Sequence, residues 1–402
     1  MTDPAAPTAP DAPPERGSLG EVAAVFLRLG CTAFGGPAAH IAMMRQELVQ
    51  RRRWVSEARF MDLLGATNLI PGPNSTEMAI HLGYVRAGWP GLVVAGTLFI
   101  GPAMLIVLAL AWAYVAFGTL PQAEALLFGV KPVIIAIVAQ ALYGLARTAL
   151  KGPVLIVAAA AVLALSLLGQ NELTLLFGGG ALALLGQLIL RRIRAGRASS
   201  GTPALAAWPA LTFAPAAGAA AAVAAAPFSL STLFLTFLKI GAVLYGSGYV
   251  LLAFLRGDFV DRLGWLTDKQ LLDAISVGQF TPGPVFTTAT FVGYLVGGVG
   301  GALLATLGIF LPSFVFVAIS GPVVPHLRRW PQTALLLDGV NAAALGLMAA
   351  VLVQLSQAAL VDPLTVIVAL AALLVLVRWK LNSAWLVLAG ALIGLAARTF
   401  WS

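Results

Sequence analysis

Two stretches decide how this chain is read. Asn68-Leu69-Ile70-Pro71-Gly72-Pro73-Asn74-Ser75-Thr76-Glu77 lies in the first half, and Gln279-Phe280-Thr281-Pro282-Gly283-Pro284-Val285-Phe286-Thr287-Thr288 in the second. Each sits beside apolar sequence and must stop a helix there, because proline lacks the amide donor and excludes the helical conformation for its predecessor. The similarity extends outward at one constant offset. Phe26-Leu27-Arg28-Leu29-Gly30 returns as Phe237-Leu238-Lys239-Ile240-Gly241, Phe34-Gly35 as Tyr245-Gly246, Trp54 as Trp265 and Asp62 as Asp273. About a dozen identities over about 48 positions mark an internal repeat. After a one-residue slip, Gly83-Tyr84 matches Gly293-Tyr294, Pro102 matches Pro312, and Lys131 faces Asn341.

Composition places the repeat in a membrane. Of 402 residues, 60% are hydrophobic and 10% charged, with a mean hydropathy of +0.94; soluble domains average about 25% charged residues. Apolar runs cover 91–117, 123–150, 153–168 and 173–190, then 203–226, 296–324, 334–360, 364–377 and 383–397. Most approach the roughly 20 residues of a bilayer crossing. The runs at 153 and 364 are short and have to cross nearly upright. Two further regions of the first half, 22–44 and 60–82, are apolar but broken, at Phe34-Gly35-Gly36-Pro37 and at Pro71-Gly72-Pro73. Backbone freed at such breaks is tolerated at membrane depth where it lines a cavity or is buried in protein.

The fold expected is all-α: a polytopic membrane protein made of two homologous halves, inverted, with broken or re-entrant helices. The division is a disordered tail 1–18, a first repeat 19–190, a basic linker with an extra crossing helix 191–230, and a second repeat 231–402. The orientation comes from charge. Arg45, Arg51, Arg52, Arg53 and Arg59 crowd one polar segment, whereas its counterpart has Arg256, Arg262 and Lys269 against four aspartates. Lysine and arginine favour the cytoplasm, so the two segments face opposite sides and the N-terminus is cytoplasmic, in a bacterial inner membrane. With re-entrant hairpins the count is about nine crossings plus four hairpins, and about 13 if every region spans.

The net charge of +8 is a topology signal here, and no nucleic-acid partner is expected. A single cysteine, Cys31, excludes an internal disulfide. His40 and His81 fall in no HxxxH or HExxH pattern, and no GxxxxGK[ST] loop occurs, so no metal, cofactor or ATP-driven step is expected. Inverted repeats with broken helices point to a secondary transporter, not an enzyme; the alternatives are a channel or a proton-coupled transporter of a different anion and, with few candidate residues to support it, a membrane-embedded enzyme. Membrane lipid and a small inorganic anion are the expected partners; a homodimer is left open.

The candidate site is drawn from the breaks. Arg28 and Lys239 are equivalent cations within apolar segments, where a cation costs about 2.5–3.5 kcal/mol; they suit a dianion at mid-depth, or else snorkel to the interface. A helix restarting after Pro71, Gly72 and Pro73, or after Pro282, Gly283 and Pro284, offers unpaired amides to an anion. Asn68, Asn74, Ser75, Gln279, Thr281, Thr287 and Thr288 add neutral side chains; the alternative is a packing kink with hydroxyls bonded back to backbone. Gly35, Gly36 and Gly246 form a second wall or a close helix contact. Glu77, opposite Thr288 in the repeat, is a proton-coupling candidate or a carboxylate favoured by the helix dipole. Lys131 and Asn341 are candidates for lining the path.

Taken together, Phe-Gly-Gly-Pro, the paired Pro-Gly-Pro motifs, their spacing to a tryptophan, and the run from Gly278 to Tyr294 resemble the chromate transporter family in its long, two-domain form. The resemblance extends from Leu19 to about Ala397. It implies potential- or proton-driven export of chromate, with sulfate as the natural analogue. Asn68 and Glu77 depart from it, since the family pattern has glutamines on both flanks of the first Pro-Gly-Pro.

Overall fold

The computed structural model describes residues 17–34, 36–118, 120–197, 227–245, 248–328, 331–379 and 383–401. The expected extra crossing at 203–226, most of the N-terminal tail, Gly35 and Gly246 lie outside these residues. Fourteen α-helices and no strand are found among the described residues. In the first half these are α1 (Leu19–Thr32), α2 (Gly36–Arg45) with a π-helical extension (Gln46–Arg51), α3 (Glu57–Thr67), α4 (Asn74–Phe117), α5 (Pro121–Ala149), α6 (Pro153–Leu167) and α7 (Glu172–Arg197). The second half repeats them as α8 (Leu230–Val243), α9 (Leu251–Leu255) with its own π extension (Arg256–Arg262), α10 (Asp268–Phe280), α11 (Thr288–Arg328), α12 (Pro331–Ala359), α13 (Pro363–Trp379) and α14 (Ser383–Trp401). Even the caps repeat. Ser18 and Ser229 cap α1 and α8, while Ser56 and Thr267 cap α3 and α10, each side chain accepting an amide otherwise left open.

The 44 residues of α4 would reach about 66 Å as one rod. They do not, because the helix folds back at Ala87 (φ −139°, ψ 22°) and Gly88 (φ 63°, ψ −151°). Gly83 and Gly91, about 12 Å apart along a straight helix, bring their backbones into direct contact, so that a β-carbon on either would strike the carbonyl of the other. α11 does the same at Gly297 and Gly298, with Gly293 against Gly301. Each long helix is therefore a short arm leaving the Pro-Gly-Pro break and a long arm that crosses the bilayer.

The broken segments return to the side from which they enter. Glu21 at the start of α1 accepts from Trp54 Nε1 (3.0 Å) and Arg86 Nη2 (2.9 Å) and pairs with Arg52 (3.4 Å). The start of the first hairpin, its end and the end of the second hairpin thus share one surface. In the second half aromatic packing makes the same closure: Phe228 lies 5.3 Å from the Trp265 ring and against Gly297.

The two halves run antiparallel. Leu92 clusters with Val317 and Gly96 meets Phe314, so moving forward along α4 moves backward along α11. They also exchange helices. α6 and α7 pack on α12 of the other half, and α13 and α14 on α5. Close backbone approaches repeat with the exchange, Gly129 against Gly390 and Gly180 against Gly339. Outward faces carry Val93, Leu105, Trp112, Ile367, Leu370 and Leu374, exposed apolar side chains of the kind that lipid covers. Among the described residues α4, α5, α7, α11 and α12 are long and apolar enough to cross a membrane, and α6, α8, α13 and α14 are shorter apolar helices.

Candidate functional site

The two Pro-Gly-Pro breaks meet the opposite half in a reciprocal bond. Gly72 N–H donates to Leu244 O at the end of α8 (2.7 Å), and Gly283 N–H donates to Ala33 O at the end of α1 (2.8 Å). Both glycines take positive φ, 135° and 92°, a region other residues rarely adopt. At each locus a break from one half closes on a helix end from the other, which is how antiparallel repeats build a shared centre.

Around the first break, Asn74 Nδ2 donates to Asn68 Oδ1 across the gap (2.8 Å). Ser75 Oγ meets His40 Nδ1 (3.3 Å), while His40 Nε2 lies 3.1 Å from Ala33 O. His40 is 1% exposed and holds three segments together. Glu77 and Ser313 both face the space above Gly72: a β-carbon there would collide with the Glu77 carboxyl and lie 2.8 Å from Ser313 Oγ. Glu77, Thr76 and Ser313 are each completely buried. Thr76 Oγ1, both Glu77 carboxyl oxygens and Ser313 Oγ complete no hydrogen bond; Ser313 faces the carboxyl without closing on it. His81 Nε2, one turn further along α4, and Gln279 Nε2 at the second break are also buried and unpartnered. Buried polar atoms without partners are rare and need an explanation; here they gather at the breaks.

The second break differs. Thr281, Thr287 and Thr288 donate back to the carbonyls of Gly278, Pro284 and Val285, the packing arrangement allowed for above. Their protons are engaged, so the donors left for a ligand there are Gln279 and backbone amides.

Of the two alternatives for the cations, convergence on one centre is not what the ion pairs give. Arg28 pairs with Glu47 (2.6 Å), which also binds Arg52 (2.6 Å) and Arg51 (3.3 Å). Lys239 pairs with Asp258 (2.6 Å), which also binds Arg262 (2.9 Å). Glu47 and Asp258 are repeat equivalents, and each lines its own cavity. One, of about 550 Å³, has Arg28, Gln46, Glu47, Gln50 and Arg51 in its wall. The other, of about 470 Å³, has Glu172, Arg256, Asp258, Asp261 and Arg262. Since the halves are antiparallel, the cavities open towards opposite sides. Two arginines face one carboxylate in the first, and two arginines face three carboxylates in the second. Burial raises the Glu47 carboxyl, but hydrogen bonds from Arg52 and Arg28 and the charges of Arg28 and Arg51 outweigh it and hold it at about 2.

Lys131 is held by a charge of the other half. It forms an ion pair with Asp273 of α10 (3.1 Å), and Asp273 accepts from Tyr114 O–H (2.9 Å). Asp273 is wholly buried. Asn341, in the equivalent place on α12, is half-buried and carries no charge. Sequence reasoning missed Glu47, Asp258 and Ser313 as site residues. The first two were accessible, since acids at the same offset accompany Arg28 and Lys239 in both halves.

A duplicated, antiparallel helical membrane protein whose broken helices close on one another across the two halves has the architecture of a secondary transporter. The chain belongs to the chromate transporter family, whose profile, described as Chromate transporter, matches residues 20–185 and again 231–395. It is 35% identical over 385 residues to a chromate transport protein of Cupriavidus metallidurans, covering 94% of this chain and 93% of that one. It is 37% identical over 393 residues to a chromate transport protein of Pseudomonas aeruginosa, covering 96% and 94%. No solved structure matches it.

Proposed function

We propose that this protein carries chromate, and sulfate as its chemical analogue, out across a bacterial inner membrane by alternating access of its two halves. The observation that carries this reading is the pair of reciprocal breaks, flanked by two cavities of unlike charge on opposite sides. The arginine-rich cavity lies beside Arg45, Arg51, Arg52 and Arg59, the segment that the lysine and arginine bias assigns to the cytoplasm, with the N-terminus on the same side. A cavity of positive sign concentrates an anion and speeds its entry; Arg28 and Arg51 receive it there, and Lys239 meets it on the way out. Asn68, Asn74 and Gln279, with the amides of the restarted helices, supply donors at the centre.

The test is flux of radiolabelled chromate and sulfate in proteoliposomes. Saturable flux in the wild type is expected, falling at least tenfold in Arg28→Gln while Glu47→Gln, which frees Arg28 rather than removing it, retains flux. Well-folded wild type that moves neither anion would overturn the reading and send the search to other anions. Flux untouched in Arg28→Gln would remove the cavity from the mechanism.

A further inference from the structure

Comparison of the two breaks shows three coordinated differences. The space above Gly72 is faced by Glu77 from α4 and Ser313 from α11, and Tyr245 follows Leu244, whose carbonyl accepts the Gly72 amide. The equivalent positions around Gly283 are Thr288, Ala103 and Phe34. There a β-carbon would meet the methyl of Ala103, and Thr288 is satisfied by its own turn. Three segments from both halves thus bring a carboxyl and two hydroxyls to one break, against a single self-bonded hydroxyl at the other.

Among the described residues the carboxyl has no counter-charge. α1, α2, α3, α10 and α11 pack on α4, and their charges are engaged elsewhere. Glu21 holds Arg86, Arg28 pairs with Glu47, Arg45 with Glu57, Lys269 with Glu124, and Asp273 with Lys131; Arg59 lies towards His81. Among the described residues no ion pair reaches Glu77. An ionised carboxylate buried without a partner costs so much that such groups neutralise instead. A dianion arriving at the neighbouring amides increases that cost by repulsion. Proton and oxyanion therefore favour each other's binding.

We propose that the first break is a proton site, and that Glu77, faced by Ser313 across the space above Gly72, carries one proton in the same direction as the oxyanion. The step is an addition of H⁺ to a carboxylate oxygen on one side and its release on the other, with no bond made to the anion. One proton with one dianion leaves a net charge of −1 moving, so an inside-negative potential still drives export, while the second break stays a neutral anion cradle. This rests on the anion-transport reading, and the experiments separate the two.

The first measurement needs no transport. A carboxylic-acid C=O band in the infrared spectrum of the purified wild type at neutral pH is expected to vanish in Glu77→Gln. Its absence from the wild type, or its survival in the variant, overturns the proposal whatever the flux data say. The second uses sulfate, which stays a dianion across the neutral range, in proteoliposomes loaded with a pH dye. Sulfate entry should acidify the lumen by about one proton per anion. Glu77→Gln should keep sulfate–sulfate exchange but lose the acidification, and Ser313→Ala should shift the pH midpoint of flux. Sulfate flux without proton movement, or with alkalinisation, also overturns the proposal. Lack of any wild-type flux counts against the transport reading alone, because the infrared band still decides the proton.

Discussion

Glu47 binds three arginines that would otherwise face one another at the mouth of the first hairpin, outside the spanning helices. Its carboxyl is held at about 2 in the folded protein, against an ordinary 4.5. A depressed carboxyl stabilises the fold fully above the unfolded value and loses that stabilisation as pH falls towards the folded one. Thermal stability in detergent should therefore decline between about pH 4.5 and pH 2, and Glu47→Gln should be less stable at neutral pH with a shallower decline. An equally steep decline in that variant would assign the effect to other acids. At this scale the sequence drew attention to residues rather than to their partners. Arg28 and Lys239 stood out because a cation in an apolar run demands a reason, and Glu77 because it broke the repeat. Ser313 was not legible, since nothing local distinguishes a serine in a long apolar helix until folding sets it over Gly72.

The elements were legible where proline and glycine punctuate them. Pro-Gly-Pro ended α3 and α10 as read, and the expected spans agree with α5, α6, α12 and α13 to within a few residues. The fold-back inside α4, at Ala87-Gly88, falls in the gap between the broken region 60–82 and the apolar run from 91, although no single helix joining the two was expected there. Its two glycines separate strain from crowding. Around Gly88 nothing lies within 4 Å of an added β-carbon, whereas at Gly91 one would strike the Gly83 carbonyl. Gly88→Ala should cost about 1–3 kcal/mol from backbone strain alone. Gly91→Ala should cost more, because the arms must separate. Melting curves in detergent check both, and a neutral Gly88→Ala would mean the turn can take another conformation.

At the scale of the whole molecule, equal sequences sit in unequal surroundings. Met61 of α3 is 53% exposed while its counterpart Leu272 of α10 is fully buried. Asp62 is exposed, and Asp273 is sealed against Lys131. α10 packs on α5, α12 and α14, contacts that α3 does not match among the described residues. No reading of a repeat could supply this, because the repeat predicts symmetry and the fold departs from it. The Lys131–Asp273 pair joins the halves. Lys131→Met alone should cost about 3–5 kcal/mol by leaving a buried carboxylate unpaired, and Asp273→Leu added to it should recover most of that. A double-mutant cycle by thermal or chemical denaturation measures the coupling, and simple additivity would deny the pair its role.

The crossed bonds from Gly72 to Leu244 and from Gly283 to Ala33 also bear on how the chain is made. At about 5–20 residues per second, Gly72 leaves the ribosome roughly ten to thirty seconds before Leu244 exists. Until then the first break has an open amide in a setting that supplies no water to cover it. Neither half can finish its own centre, so the order of synthesis leaves the first half waiting for the second. A chain severed between the repeats has to find its missing piece within the same membrane before either break can close.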